Sequence, residues 1–154
     1  MSIQQVVAKQ TRDVGAGLER TFVAMPADKQ TWKPLDNGRS ALEQIAECAV
    51  INGWSAQVFR DRAVPPFDGE AFGSACAALD TADKAVAALR ANTETLVAAI
   101  GSTPDDALET QVQFPWDESP CSLADAVLVA YWNMTYHIGQ INYIQTLYGD
   151  QEMH

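Results

Sequence analysis

The chain has 154 residues, 47% of them apolar and 19% charged, the balance expected of one globular domain spanning residues 1–154 with enough length to bury a core. Its 20 acidic and 10 basic residues leave a formal net charge of −10. The basic residues are sparse and unclustered, which excludes the cationic surface that a nucleic-acid partner or an anionic membrane requires.

No apolar run reaches the ~20 residues that span a bilayer. The start, "MSIQQVVAKQTRD", lacks a basic stretch followed by an apolar one, so no secretory leader is expected. Cys48, Cys76 and Cys121 are odd in number and far apart. That pattern argues against a disulfide framework and for a reducing, cytoplasmic setting.

Taken in chain order, the first periodic segment carries Ile3, Val7, Val14, Leu18 and Phe22 at three- and four-residue steps and stops at Pro26, as a helix does. A loop, "MPADKQTWKPLDNGR" (25–39), follows. The second helix opens at "SALE", where Ser40 and Glu43 have the spacing of a capping box. Its apolar seam runs through Leu42, Ile45, Ala49, Asn52, Ala56 and Phe59 until "VPPFDG" ends it. The third seam is Leu79, Ala82, Val86, Leu89, Thr93, Leu96 and Ile100, closed by Gly101 and Pro104.

A second long loop (101–120) leads to the fourth helix, with Ser122 as its N-cap and Asp125 favourably placed near the positive helix end. Its seam, from Leu123 through Val127, Ala130, Met134, His137, Ile141 and Ile144 to Tyr148, predicts one continuous helix of roughly 26 residues, about 40 Å long. Gly149 stands where a C-terminal cap belongs. Four amphipathic helices in one domain bury their stripes most simply against each other, so an all-α four-helix bundle is expected. Trp32 and Trp116 lie in the two long loops and are expected to plug the bundle ends or line a pocket mouth.

The fourth seam turns His137 inward, between Asn133 one turn before it and Gln140 nearly one turn after. Burying such groups costs a few kcal/mol each unless they are hydrogen-bonded or ligated. Glu47, beside the seam of the second helix, offers a partner, the alternatives being a structural hydrogen bond or a Glu47 that faces solvent. A Glu47–His137 contact across the bundle would offset the cost of burying its carboxylate.

These residues resemble the DinB-like (YfiT-like) metalloenzyme family. "LERTFVAMPADKQTWKPLDNGRSALEQIAECAVINGW" is similar to its first helix, Trp-x-Pro loop, Arg-Ser helix start and second helix ending in Trp. "FPWDESPCSLADAVLVAYWNMTYHIGQINYIQTLYG" is similar to its last loop and last helix, with His-x-Gly-Gln and a closing Gly. The resemblance implies an antiparallel four-helix bundle with an unusual connection order, and a homodimer. It also implies a divalent metal, often nickel or zinc, held by three residues that in the family are usually histidines; with a carboxylate and an amide in place of two of them, as here, the set would suit a harder ion such as manganese. Carried over by position, those residues here are Glu47, Asn133 and His137. Only one is a histidine, so the implied site is degenerate.

The family includes metal-dependent transferases that use low-molecular-weight thiols. The implied function is therefore an enzyme acting on a small molecule, with a thiol as possible co-substrate. Two alternatives stand beside it: a non-catalytic binding or interaction protein that kept the bundle and lost the metal, and metal-free acid–base catalysis by Glu47 and His137. Cys48, adjacent to Glu47 in sequence, points about 100° away on a helix and is not expected to join the site.

Overall fold

The computed structural model describes residues 2–154. Its long helices are α1 (Ile3–Val23), α3 (Ala41–Asp61), α5 (Ala82–Gly101) and α7 (Val129–Leu147), with shorter helices α2 (Ala27–Gln30), α4 (Gly69–Ala78) and α6 (Leu123–Ala126) between them. The capping signals act as their chemistry requires. Ser40 accepts from the Glu43 amide while the Glu43 carboxylate takes the Ser40 N–H, and Ser122 and Asp125 do the same. At the other end of the chain Gly149 takes φ +94°, the left-handed cap its position predicts.

The four long helices form a ring in which α1 and α3 each pack on both α5 and α7. Cross-links set their directions. Arg12 bonds Glu94 and Arg90 bonds Glu19, so α1 and α5 are antiparallel. Likewise Glu47 meets His137 while Asn52 meets Met134, so α3 and α7 are antiparallel. Gly17 lies beside Ile138, and Gln145 bonds the carbonyl of Thr21, so α1 and α7 run parallel. A parallel α3–α5 pair then follows, and it requires a crossover along the bundle, which residues 62–81 supply.

That crossover contains α4, which the apolar periodicity does not predict. "GEAFGSACAA" buries none of its residues and carries no apolar stripe; Asp68 caps it by accepting from the Glu70 and Ala71 amides. The third seam accordingly begins later than expected. Leu79 closes α4, and α5 starts at Ala82 behind the Thr81 cap.

The fourth helix is not continuous. The chain breaks at Val127–Leu128 between α6 and α7. Its first turn is held elsewhere: the Leu123 N–H bonds the Thr110 carbonyl at 2.9 Å, extending a two-stranded ladder of β1 (Gln111–Val112) and β2 (Cys121–Ser122). Neither strand is visible as alternation in the sequence, since each has two residues. α6 is thus tied to this ladder, while α7 packs in the bundle.

Two apolar clusters fill the interior. One gathers Val58, Phe59, Leu96, Ile100, Phe114 and Leu123; the other gathers Leu18, Phe22, Ile45, Leu89, Met134 and Ile141. Between them Asn52 donates to Thr93 Oγ1 at 2.9 Å and approaches Met134 Sδ at 3.3 Å. Gly15 packs on this layer, and a Cβ there would stand 2.9 Å from Thr93 Cγ2. Among the described residues no helix is long and apolar enough to cross a membrane.

Candidate functional site

His137 sits on α7 between Met134 and Ile141 and is only 1% exposed. Each ring nitrogen faces oxygen. Nδ1 lies 2.9 Å from Gln44 Oε1 and 3.0 Å from Gln140 Oε1, and Nε2 lies 3.0 Å from Glu47 Oε1. The cross-bundle Glu47–His137 contact expected from the sequence is present. Carboxamide oxygens accept, so Nδ1 carries a proton. At Nε2 an imidazole nitrogen faces a carboxylate oxygen. Two lone pairs repel, so this contact needs a cation between them, a proton or a metal ion.

The second carboxylate oxygen is also engaged: Glu47 Oε2 is 2.5 Å from Arg39 Nη2. The hydrogen bond with His137 holds the Glu47 carboxyl below its ordinary range, partial burial opposes the shift, and Arg39 adds to it. Glu47 is therefore held as a carboxylate between the His137 ring and the Arg39 guanidinium.

Asn133 lies one turn before His137 on α7. Its Nδ2 turns to Cys48 Sγ at 3.6 Å, leaving its carbonyl oxygen for another partner. Cys48 thus touches a site residue, although not through its own chemistry. Burial pushes its thiol well above the ordinary range, with the Glu47 charge adding to the effect, so it stays protonated and unreactive. Among the described residues no three His, Cys, Asp or Glu side chains come together. Any third metal donor must come from an amide such as Asn133.

Three openings reach this region. A groove of about 540 Å³ between α3 and α7 is lined by Ile51, Trp116, Leu128, Trp132 and Asn133. A second, of about 390 Å³, passes Lys33, Arg39, Glu47, Phe72 and Cys76. A third, of about 530 Å³, runs past Arg39, Gln44, Tyr136, Gln140 and Tyr143. The two loop tryptophans part ways here. Trp116 stacks on Phe114 at the mouth of the first groove, whereas Trp32 packs on the core beside Lys29.

The sequence reading misses two members of the constellation. Gln44 lies three residues before Glu47, one helical turn away on the same face, so the i, i+3 spacing could have found it. Arg39 precedes the N-cap in an aperiodic loop, and no spacing rule reaches it.

No curated protein sequence matches the chain. Among solved structures, YfiT from Bacillus subtilis, described as "a probable metal-dependent hydrolase with an unusual four-helix bundle topology", superposes with a TM-score of 0.79 at 17% identity, covering 97% of this chain and 90% of that one. At that identity the likeness speaks for the fold. The sequence pattern of the DinB superfamily matches residues 10–141, a span that includes Arg39, Gln44, Glu47, Asn133, His137 and Gln140. The chain belongs to the DinB superfamily.

Proposed function

We propose that the protein is a metal-dependent enzyme acting on a small molecule, with Glu47, Asn133 and His137 holding a divalent ion. The observation that carries this reading is the fixed imidazole. Gln44 and Gln140 hold the proton on Nδ1 and turn the Nε2 lone pair toward the Glu47 carboxylate, the arrangement by which outer partners orient a metal-ligating histidine. The donor set of one imidazole nitrogen, one carboxylate and one amide oxygen fits a small divalent ion. Two oxygens in three lean toward manganese over nickel or zinc.

A bound ion would supply Lewis acidity and lower the pKa of a water or thiol. The chain's own residues do the rest. Glu47 supplies the negative charge, His137 the oriented nitrogen, and the aromatic groove at Trp116 and Trp132 a surface for the apolar part of a substrate. Hydrolase and thiol-transferase chemistry differ in whether water or a low-molecular-weight thiol attacks.

The test is metal content, by plasma mass spectrometry, of untagged protein beside His137→Ala and Glu47→Ala. Near-stoichiometric metal in the wild type, lost in both variants, supports the reading and calls for a screen of electrophiles with and without thiols. Metal far below one per chain after soaking with manganese, nickel and zinc overturns it. A second reading has its own observation. Arg39 and His137 already engage both oxygens of Glu47, which suits a non-catalytic binding protein, or a metal-free acid–base pair, on the same bundle.

We also propose that α7 pairs with a second copy of the chain. Residues 129–147 contain no Asp, Glu, Lys or Arg, although the chain carries a net charge of −10. This is the face on which two like-charged copies can approach with least repulsion. Leu128, Trp132, Tyr136, Tyr143 and Leu147 stand exposed along it, with Trp116 alongside. A whole aromatic side chain offers about 150–250 Å²; roughly half exposed, these six offer about 600 Å², the larger part of the ~800 Å² per partner of a standard interface. Tyr136 Oη accepts from Gln140, which in turn bonds His137, so such a partner would lie one hydrogen bond from the site. The reading assigns the protein to the cytoplasm, where Cys48, Cys76 and Cys121 remain thiols.

A further inference from the structure

We propose that Arg39 is a tethered cation that competes with the divalent ion for the charge of Glu47, so that the chain itself weakens binding of the ion. The inference rests on Glu47 being the carboxylate ligand. It differs from a purely structural ion pair in its sign: removing Arg39 strengthens metal binding.

The geometry is local and specific. Arg39 immediately precedes Ser40, the N-cap of α3, and Glu47 lies two turns into that helix. The guanidinium reaches back over the first turns, with Nη2 at 2.5 Å from Glu47 Oε2 and at 3.4 Å from the Glu43 carbonyl oxygen. A monovalent cation thus holds one oxygen of the carboxylate whose other oxygen faces His137 Nε2. A divalent ion between Glu47 and His137 would have only Oε1 free to bind and would meet the repulsion of a positive charge beside it.

The turn that delivers Arg39 is well determined. Leu35 and Asp36 both adopt left-handed backbone, φ 55° and 61°, which non-glycine residues hold only where the surroundings impose it. Gly38 is required there, since a Cβ would lie 2.6 Å from the Pro34 carbonyl oxygen. Lys33 anchors the other side of the turn on Glu43 Oε1 at 2.5 Å. The backbone therefore fixes where Arg39 starts, while its side chain, 48% exposed, can turn into the adjoining openings at modest cost. It lines both the opening past Glu47 and Cys76 and the opening past Gln44 and Tyr143. A partly exposed pair of this kind is weak enough to be disturbed and strong enough to register as competition.

The test is isothermal titration of untagged protein with manganese, nickel and zinc, using wild type, Arg39→Gln, Arg39→Lys, Glu47→Gln and the Arg39→Gln/Glu47→Gln double variant. Circular dichroism checks that each is folded. The proposal expects Arg39→Gln to bind about two- to fivefold more tightly than wild type, Arg39→Lys to remain near wild type, and the gain to vanish when Glu47 is also replaced. Equal or weaker binding by Arg39→Gln overturns it while leaving the metal reading in place. A gain that survives Glu47→Gln also overturns it, because the competition is then not at that carboxylate. An empty wild type with a loaded Arg39→Gln variant supports the tethered cation and sinks the native metalloenzyme instead. If neither binds any of the three ions, both readings fall.

Discussion

The two halves of the bundle solve different problems. Around Phe114, Trp54 and Trp116 the end formed by the last turns of α3 and α5 is closed by stacked and tilted aromatic rings, with centroids 5.0 to 5.8 Å apart. It is sealed by a ladder whose residue Val112 is itself in the core. Around His137 the interior instead admits Gln44, Cys48 and Gln145, every one of them buried, and joins α3 to α7 through hydrogen bonds. Apolar packing tolerates no vacancy but forgives many identities. A buried polar network demands a partner for each group and forgives few. The difference teaches that apolar packing is concentrated at one end of this protein and buried polar groups at the other, with Asn52 and Thr93 between them.

That contrast can be broken most forcefully at the packed end. Phe114→Ala removes a buried ring and should cost about 3–5 kcal/mol in urea unfolding, with metal affinity in the surviving folded protein unchanged. A large shift in metal binding would mean that the two ends are coupled. At the boundary, Asn52→Ala deletes the donor to Thr93 and should cost about 1–3 kcal/mol. A smaller loss would show that the layer is packing alone.

At the polar end the sharper probe is pH. The Glu47 carboxyl is depressed in the folded protein relative to its ordinary 4.5. Its stabilising contribution is therefore present above that value and is lost as pH falls through the lower, folded pKa. Stability of Glu47→Gln should fall less steeply than that of the wild type below about pH 4.5. Identical slopes would mean that the carboxylate gains nothing from His137 and Arg39. The smallest effect on folding is expected on the outer face of α7. Trp132, 66% exposed, replaced by Glu should change unfolding by no more than about 0.5 kcal/mol, yet shift sedimentation from dimer to monomer. A wild type that is monomeric throughout would remove the proposed pairing.

Much of the molecule is legible before any coordinates. The stripes of α1, α3 and α5 and the Ser40–Glu43 box are local, written within one or two helical turns. The opposition of Glu47 and His137 follows from the cost of burying each alone. What escaped is non-local or aperiodic. The α4 crossover has no apolar stripe to read, and the break at Val127–Leu128 follows a helix start bonded to Thr110, thirteen residues upstream of the α6 start. Asn133 shows the limit most plainly. Its spacing puts it in the family's ligand slot, but only the tertiary structure turns its amide nitrogen to Cys48.

By itself, then, the sequence determined the helical class, the inward histidine and the carboxylate that would have to meet it, because helical period and burial cost act at short range. The tertiary structure alone decided the direction of the helices, the Gln44 and Gln140 oxygens on Nδ1, and the arrival of Arg39 at Glu47. Those depend on how a turn and four helices are brought together in space, and no repeat along the chain encodes a contact between elements whose relative direction is set by the connections between them.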